Sequence, residues 1–267
     1  MILDLVTKRG FFCDDSSIQF PYKPSTVSSR VLVSICFYAP LLIYSVLEWW
    51  RLRSRRKPKY LTICGRKFHP LLRYIPCTLF VYYFGYYCNL GLTYLMKLSI
   101  GRPRPHFIDV CQPDWSMINC STPEGHPAYV DPIPCNGTDE TAINQARLSF
   151  PSGHASISAY AMVYFIMYLQ AQFYIRRIRC IKPLLQLICI VVALFISLTR
   201  IQDFKHHSTD VMAGLFLGTF VAVLVVTFVS DIIIIEEPMR MPKIEESVID
   251  EDEKSNLYER IPIDDVD

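Results

Sequence analysis

Val211-Met-Ala-Gly-Leu-Phe-Leu-Gly-Thr-Phe-Val-Ala-Val-Leu-Val-Val-Thr-Phe-Val-Ser230 decides the class of this protein. No charged residue interrupts it, and a helix crosses the hydrocarbon core of a bilayer with about 20 such residues. Four more blocks of this kind lie upstream, running approximately from Val31 to Trp50, Tyr74 to Met96, Ala155 to Ile175 and Pro183 to Thr199. The first contains Pro40 and ends on Glu48, Trp49 and Trp50, which read as an interfacial belt. The whole-chain composition agrees. Hydrophobic residues make up 51% and charged residues 19% of the 267 positions, against roughly 25% charge in a soluble domain. The mean hydropathy is +0.24. Disorder, collagen and a disulfide mini-protein are excluded. The expected fold is all-α, a multi-pass transmembrane bundle of five helices.

Lys and Arg set the orientation, because they mark cytoplasmic loops. Arg51, Arg53, Arg55, Arg56, Lys57, Lys59, Arg66, Lys67 and Arg73 separate the first two blocks without an acid. Arg176, Arg177, Arg179 and Lys182 separate the third and fourth. In a soluble chain such a run would suggest nucleic acid; between apolar spans it reads as topology, so no nucleic-acid partner is expected. The segment from Lys97 to His154 and the turn from Arg200 to Asp210 then face outside or a lumen. Asn119-Cys-Ser121 and Asn136-Gly-Thr138 on that side are glycosylation sequons. Cys13, Cys111, Cys120 and Cys135 fall there too, and could form two disulfides in any of three connectivities. Cys36, Cys77, Cys88 and Cys189 lie in spans and are expected to be buried. The division that follows is an outer or lumenal segment over 1–30, a transmembrane region over 31–230 and an acidic, solvated cytoplasmic tail over 231–267.

The unusual residues gather at the outer face in three clusters. They are Lys97-Leu-Ser-Ile-Gly-Arg-Pro-Arg104-Pro105, then Pro151-Ser152-Gly153-His154, then Thr199-Arg200-Ile-Gln-Asp-Phe-Lys-His206-His207-Ser-Thr-Asp210. Topology brings them to one depth, and an ionisable residue at a span end is a functional candidate by default. Lys97, Arg104 and Arg200 supply three fixed positive charges. The Arg fork matches phosphate oxygens and Lys adds a point charge. Ser152 and the Gly153 backbone can donate hydrogen bonds to an anion at a helix start. Together these form a site for a phosphoryl group and for the charge that grows in its transition state. His206 and Asp210, four residues apart, would share a face of one helical turn. The carboxylate would accept from Nδ1–H and leave Nε2 free to attack phosphorus. His154 could protonate the leaving oxygen. No metal-ligand spacing accompanies these residues, so neither a metal nor another cofactor is expected.

In these residues the chain resembles the type-2 phosphatidic acid phosphatases, also called lipid phosphate or phospholipid phosphatases. Their signature is Lys-x6-Arg-Pro, Pro-Ser-Gly-His and Ser-Arg-x5-His-x3-Asp. It is matched here by Lys97 to Arg104-Pro105, Pro151 to His154, and Thr199-Arg200 through His206 to Asp210. Gly10-Phe-Phe-Cys13, Arg104-Pro-His-Phe107 and Asp203-Phe-Lys-His-His207 are similar to the animal plasma-membrane branch.

The resemblance implies a membrane enzyme that removes phosphate from phosphatidic acid, lysophosphatidic acid, sphingosine 1-phosphate and ceramide 1-phosphate without magnesium. It implies His206 as nucleophile through a phosphohistidine, Asp210 as its orienter and His154 as general acid. Lys97, Arg104, Ser152, Gly153 and Arg200 would hold the phosphate. It also implies an extracellular-facing site at the plasma membrane, with an internal membrane as the alternative, and homo-oligomers. Thr199 replaces the family's Ser and keeps the hydroxyl. The family has six spans and the first is missing here, as in a shorter isoform, an alternative start or an incomplete gene model. Two rival functions are a lipid phosphotransferase of the sphingomyelin synthase kind and a catalytically silent lipid-binding or scaffold relative. The Lys97–Arg104-Pro105 element argues against the first, and the survival of every motif residue against the second. Gly214-x3-Gly218 reads as a helix–helix contact, within the chain sooner than between chains.

Overall fold

A computed structural model of the chain describes residues 7–54, 61–63, 66–121, 126–172 and 180–230. Five long helices dominate it: α1 (Ser29–Arg53), α2 (Leu71–Ile100), α5 (Gly153–Gln172), α6 (Ile181–Gln202) and α7 (Ser208–Val229). Two short helices, α3 (Phe107–Cys111) and α4 (Glu140–Ala146), belong to the loop that joins α2 to α5. Two antiparallel ribbons complete the fold. One pairs β1 (Phe11–Phe12) with β4 (Tyr129–Val130), and the other pairs β2 (Leu61–Ile63) with β3 (Arg66–Phe68). The multi-pass helical bundle expected from the sequence is present. The acidic tail over 231–267, and much of the two basic loops, lie outside the described residues.

Of the five expected spans, α1, α6 and α7 are long and apolar enough to cross a membrane. The other two, α2 with 30 residues and α5 with 20, have the length but are more polar. The reason is their place in the bundle. α5 packs most extensively on α7 and α6, and also on α2. Its Ser156, Ser158, Tyr160, Tyr164 and Tyr168 are therefore buried among helices. The outer surfaces are apolar instead, with Phe216 and Phe228 of α7 exposed to 73% and 78%. Without water to solvate them, interior polar groups must find partners within the bundle. The Ser156 hydroxyl donates to Asn89 Oδ1 at 2.9 Å, and the Tyr160 hydroxyl donates to the Tyr82 carbonyl at 2.7 Å.

Pro40 shows how one residue forces such a partner. Lacking an N–H, it cannot satisfy the carbonyl four residues earlier. α1 runs through a wide π-type turn at Ser34–Tyr38 just before it. The Cys36 carbonyl accepts from the Tyr82 hydroxyl at 2.6 Å, and the neighbouring Phe37 carbonyl accepts from Tyr83 at 2.7 Å. A proline in α1 is thereby stitched to two tyrosines of α2.

Two expectations need correction. Glu48 does not belong to an interfacial belt with Trp49 and Trp50. Both tryptophans are exposed, while Glu48 is buried and accepts from Thr78 Oγ1 at 3.0 Å and from the Tyr168 hydroxyl at 2.8 Å. It also lies 3.0 Å from Arg51 Nε, so its charge is paired inside the bundle. Cys77 and Cys88 are exposed on α2, unlike Cys36 and Cys189, which are buried. A lipid-facing helix surface accepts a small apolar thiol as readily as the interior does.

The glycines of α7 act within the chain. A Cβ on Gly218 would collide with the Ser156 carbonyl oxygen and one on Gly214 with the Ser152 carbonyl oxygen, both on or beside the start of α5. The small-xxx-small pair lets the two backbones approach closely. Gly218→Val is expected to lower the stability of the detergent-solubilised protein by about 1–3 kcal/mol, as overpacking does. Gly91→Ala serves as the contrast, since nothing lies within 4 Å of the added methyl. Thermal unfolding of the two variants checks this: a Gly218→Val midpoint equal to that of Gly91→Ala would contradict the packing.

Candidate active site

The three sequence clusters meet where α2 and α6 end and α5 and α7 begin. Lys97 lies in the last turn of α2, buried, and its Nζ donates to the Leu148 carbonyl at 2.8 Å. Gly101 ends α2 with φ 59°. That left-handed turn favours glycine, and any side chain there would strike the Thr7 carbonyl. The chain can then carry Arg104 back beside Lys97, where the Arg104 N–H donates to the Ala146 carbonyl at 2.8 Å and its Nη2 approaches the Leu148 carbonyl at 3.5 Å.

Pro151 to His154 runs directly into α5, as expected. The Ser152 N–H donates to the Asp210 carbonyl at 2.9 Å, fixing this turn to the start of α7. Arg200 ends α6 with 3% of its surface exposed. After it, Phe204 takes φ 53°, and the His206 N–H returns to the Arg200 carbonyl at 3.2 Å. This tight return places the His206 imidazole among Lys97, Arg104 and Arg200.

His206 and Asp210 do not share a helical turn. α7 begins at Ser208, and His207 with Asp210 forms a capping box at its start. The cap draws the Asp210 carboxylate back towards the His207 N–H, 3.0 Å from Oδ2. Its remaining bonds come from Ser149 Oγ at 2.6 Å, Arg102 Nη1 at 2.6 Å and His207 Nδ1 at 3.0 Å. His206 Nδ1 stays 4.0 Å from the carboxylate and instead lies 2.7 Å from the Ser149 carbonyl oxygen. The expected direct Asp–His contact is thus replaced by an indirect one. Ser149 binds Asp210 with its hydroxyl and His206 with its carbonyl. The consequence for the imidazole is the same, since an acceptor on Nδ1 holds the proton there and leaves Nε2 as the free base.

The electrostatics favour a neutral imidazole at His206. Burial pushes its pKa well below the ordinary 6.5, and the charges of Arg104, Lys97 and Arg200 add to the effect. Arg104 itself falls to about 10, first from burial and then from Arg200. Lys205, also buried, falls to about 8 through burial and the same two guanidinium groups. So dense a set of like charges, offset only in part by Asp203 and Asp210, is suited to an anion. Arg104 Nε, Ser152 Oγ, His154 Nε2 and Arg200 Nε are buried polar atoms without a hydrogen-bond partner among the described residues. Unpaired buried polar atoms are costly, and here three donors and an imidazole come from all three clusters. A Cβ added at Gly153 would sit in ordinary contact with Lys97 Cε and Thr93 Cγ2, each 3.8 Å away. Among the described residues, no three His, Cys, Asp or Glu side chains group as metal ligands do.

The eight expected catalytic and phosphate-binding residues therefore gather at one end of the bundle. Sequence reasoning missed Ser149, Arg102 and His207. Arg102 sits inside the Lys97–Arg104 spacing and Ser149 three residues before Ser152, so position marked both, but neither residue type announces a role. The loop around the site is stapled by Cys13–Cys120 and Cys111–Cys135, one of the three connectivities open at the outset. Asn119 and Asn136 are exposed on the same loop.

Comparison with known proteins agrees with this geometry. The profile of the PAP2 superfamily matches residues 71–234, which hold all three clusters. Phospholipid phosphatase 2 of Homo sapiens is 35% identical over 249 residues, covering 92% of this chain and 82% of that protein. Phospholipid phosphatase 2 of Bos taurus is 34% identical, covering 90% of this chain and 79% of that protein. Phospholipid phosphatase 1 of Mus musculus is 35% identical, covering 84% of this chain and 76% of that protein. No solved structure matches. A chain with this helical bundle, these three clusters and these relatives belongs to the PAP2 superfamily.

Proposed function

We propose that this protein is a membrane lipid phosphate phosphatase that hydrolyses the phosphomonoesters of phosphatidic acid, lysophosphatidic acid, sphingosine 1-phosphate and ceramide 1-phosphate. The observation that carries the reading is a buried, neutral imidazole with free Nε2 inside a ring of three cations. In the first step His206 Nε2 attacks phosphorus and the phosphorus–oxygen bond to the lipid breaks. His154 gives its proton to the departing alkoxide, so the lipid alcohol leaves neutral. In the second step His154 takes a proton from water, the water oxygen attacks the phosphohistidine, and the nitrogen–phosphorus bond breaks. Inorganic phosphate leaves and both imidazoles return to their starting states. Lys97, Arg104 and Arg200, with Ser152 Oγ and the Gly153 backbone, hold the phosphoryl oxygens and offset the charge of the transition state. The scheme uses no metal and no other cofactor, and turnover should survive EDTA. Asp210 keeps Ser149, and through it His206, in place.

The same reading assigns the division into an outer segment over 1–30, a catalytic membrane region over 31–230 and a cytoplasmic tail over 231–267. The site faces outward, at the plasma membrane. Its support is chemical, because both disulfides and both sequons lie at the catalytic end, and such bonds persist in oxidising compartments. Intact cells carrying the protein are expected to hydrolyse an impermeant short-chain lipid phosphate added outside. Activity found exclusively after permeabilisation would place the site elsewhere.

Replacing His206 by Ala should abolish both turnover and a trapped, acid-labile phosphoenzyme. Replacing His154 by Ala should slow turnover by roughly 10²–10⁴-fold, and less with nitrophenyl phosphate, whose leaving group needs no proton. A phosphoenzyme in the His206 variant would reverse the roles. Near-normal turnover in both variants would overturn the assignment of both histidines, a wild type that releases no phosphate would leave the silent, lipid-binding relative as the better reading, and transfer to ceramide would identify a phosphotransferase.

The pH dependence has a definite sign. A lowered imidazole pKa means that His206 stays neutral as the pH falls through 6.5 and charges only well below it. Histidine-labelled protein in micelles should show His206 neutral at about pH 5.5 by nitrogen chemical shift, whereas a free histidine is mostly charged there. A midpoint at or above 6.5 would contradict the proposed nucleophile.

A further inference from the structure

Residues 20–28 lead into α1, and they dock along the loop that carries His206. The Phe20 N–H donates to the Pro105 carbonyl at 2.9 Å, and its ring stacks on Phe204 with centroids 4.6 Å apart. Lys205 Nζ lies 3.4 Å from the centroid of the Tyr22 ring. The docking then tightens at three consecutive residues. Ser25 Oγ lies 3.4 Å from Arg200 Nη2. Thr26 gives two bonds to one carboxylate, its N–H to Asp203 Oδ2 at 2.8 Å and its hydroxyl to Asp203 Oδ1 at 2.7 Å. The Val27 carbonyl accepts from Arg200 Nη1 at 3.3 Å and faces the His154 imidazole.

Thr26 is itself exposed, whereas Asp203 is 5% exposed. The threonine therefore has little packing role, and its two bonds serve the carboxylate. Asp203 lies 3.6 Å from Arg200 Nη1, so one acid binds both the strand of chain and the arginine beside it. Hydrogen bonds to an ionised group are about twice as strong as neutral ones. They fix the segment next to Val27, whose carbonyl meets two groups of the site. That oxygen faces the His154 ring, while His154 Nε2 remains without a partner among the described residues. A proton donor needs such an acceptor behind it, because the acceptor sets the ring orientation and steadies the charged form.

We propose that Thr26 and Asp203 form a latch that positions His154 and Arg200 for phosphoryl transfer, acting through the Val27 carbonyl. This inference rests on the reading of the chain as a phosphatase with His154 as its proton donor. Thr26 and Asp203 are positioning residues and touch no reacting atom. Loosening the latch leaves the His206 imidazole in place, since that ring is held by Ser149. It displaces the proton donor, and a shift of about 1 Å can cost up to 10²-fold in rate.

The test is Thr26→Val, which keeps size and surface while removing the hydroxyl. The full chain in detergent micelles is assayed with phosphatidic acid and with nitrophenyl phosphate. Expected is a fall in kcat of roughly tenfold with the lipid. With nitrophenyl phosphate, whose leaving group needs no proton, the fall should be under about threefold. Thr26→Ser should restore lipid turnover to within about twofold of wild type, and Asp203→Asn should show the same substrate contrast as Thr26→Val. An unchanged Thr26→Val beside an active wild type overturns the latch. So does an equal fall on both substrates with a lowered unfolding midpoint, which marks a purely structural role. A wild-type chain that releases no phosphate from either substrate overturns the phosphatase reading itself, and the latch with it.

Discussion

The carboxylate of Asp210 holds the site together. It has no exposed surface, and burying a charge is expensive unless it is paired and hydrogen-bonded. Arg102, Ser149 and His207 supply the partners, one each from the end of α2, the approach to α5 and the start of α7. The bonds from Arg102 and Ser149 are short, at 2.6 Å, and all of them meet an ionised group. Removing one partner would leave a buried ion partly unsatisfied, so three chain segments are committed to one arrangement. The position of His206 follows from this, because its ring leans on the same Ser149 that Asp210 secures.

Around that anchor the charges are deliberately unbalanced. Lys97, Arg104, Arg200 and Lys205 crowd into one region, and Asp203 and Asp210 are occupied by their own hydrogen bonds. Repulsion among the cations destabilises the unliganded protein, and an anion relieves it. Burial, with the same field added to it, favours a neutral imidazole at His206, the state that the proposed nucleophile requires.

The membrane imposes the opposite rule on the rest of the bundle. Its lipid-facing surfaces are apolar, while Ser156, Tyr160, Asn89 and Glu48 turn inward and are hydrogen-bonded there. Tyr82, Tyr83 and Tyr160 do double duty as large packing groups and as donors to carbonyls. The α5–α7 contact at Gly214 and Gly218 is close because neither glycine carries a side chain. That contact connects the structural and chemical halves of the molecule, since it abuts the Ser152 carbonyl.

Much of this was legible in the sequence. Apolar blocks of spanning length, basic loops and turn-forming clusters are local properties, and they gave the bundle, its ends and the eight residues of the three motifs. Spacing could not reveal the partner of each side chain. A histidine and an aspartate four apart look like neighbours on a helix, yet the helix begins between them and its cap takes the carboxylate. Glu48 beside two tryptophans looks interfacial, yet rotation of α1 turns it inward while they face out. Ser149, Arg102 and Thr26 are ordinary residues until folding brings them against Asp210 and Asp203, and the pairing of Cys13 with Cys120 spans 107 residues. The sequence by itself determined the multi-pass helical bundle and which residue types collect at one end of it. The tertiary structure decided which donor meets which acceptor, because hydrogen bonds depend on distances of a few tenths of an ångström that no linear spacing encodes.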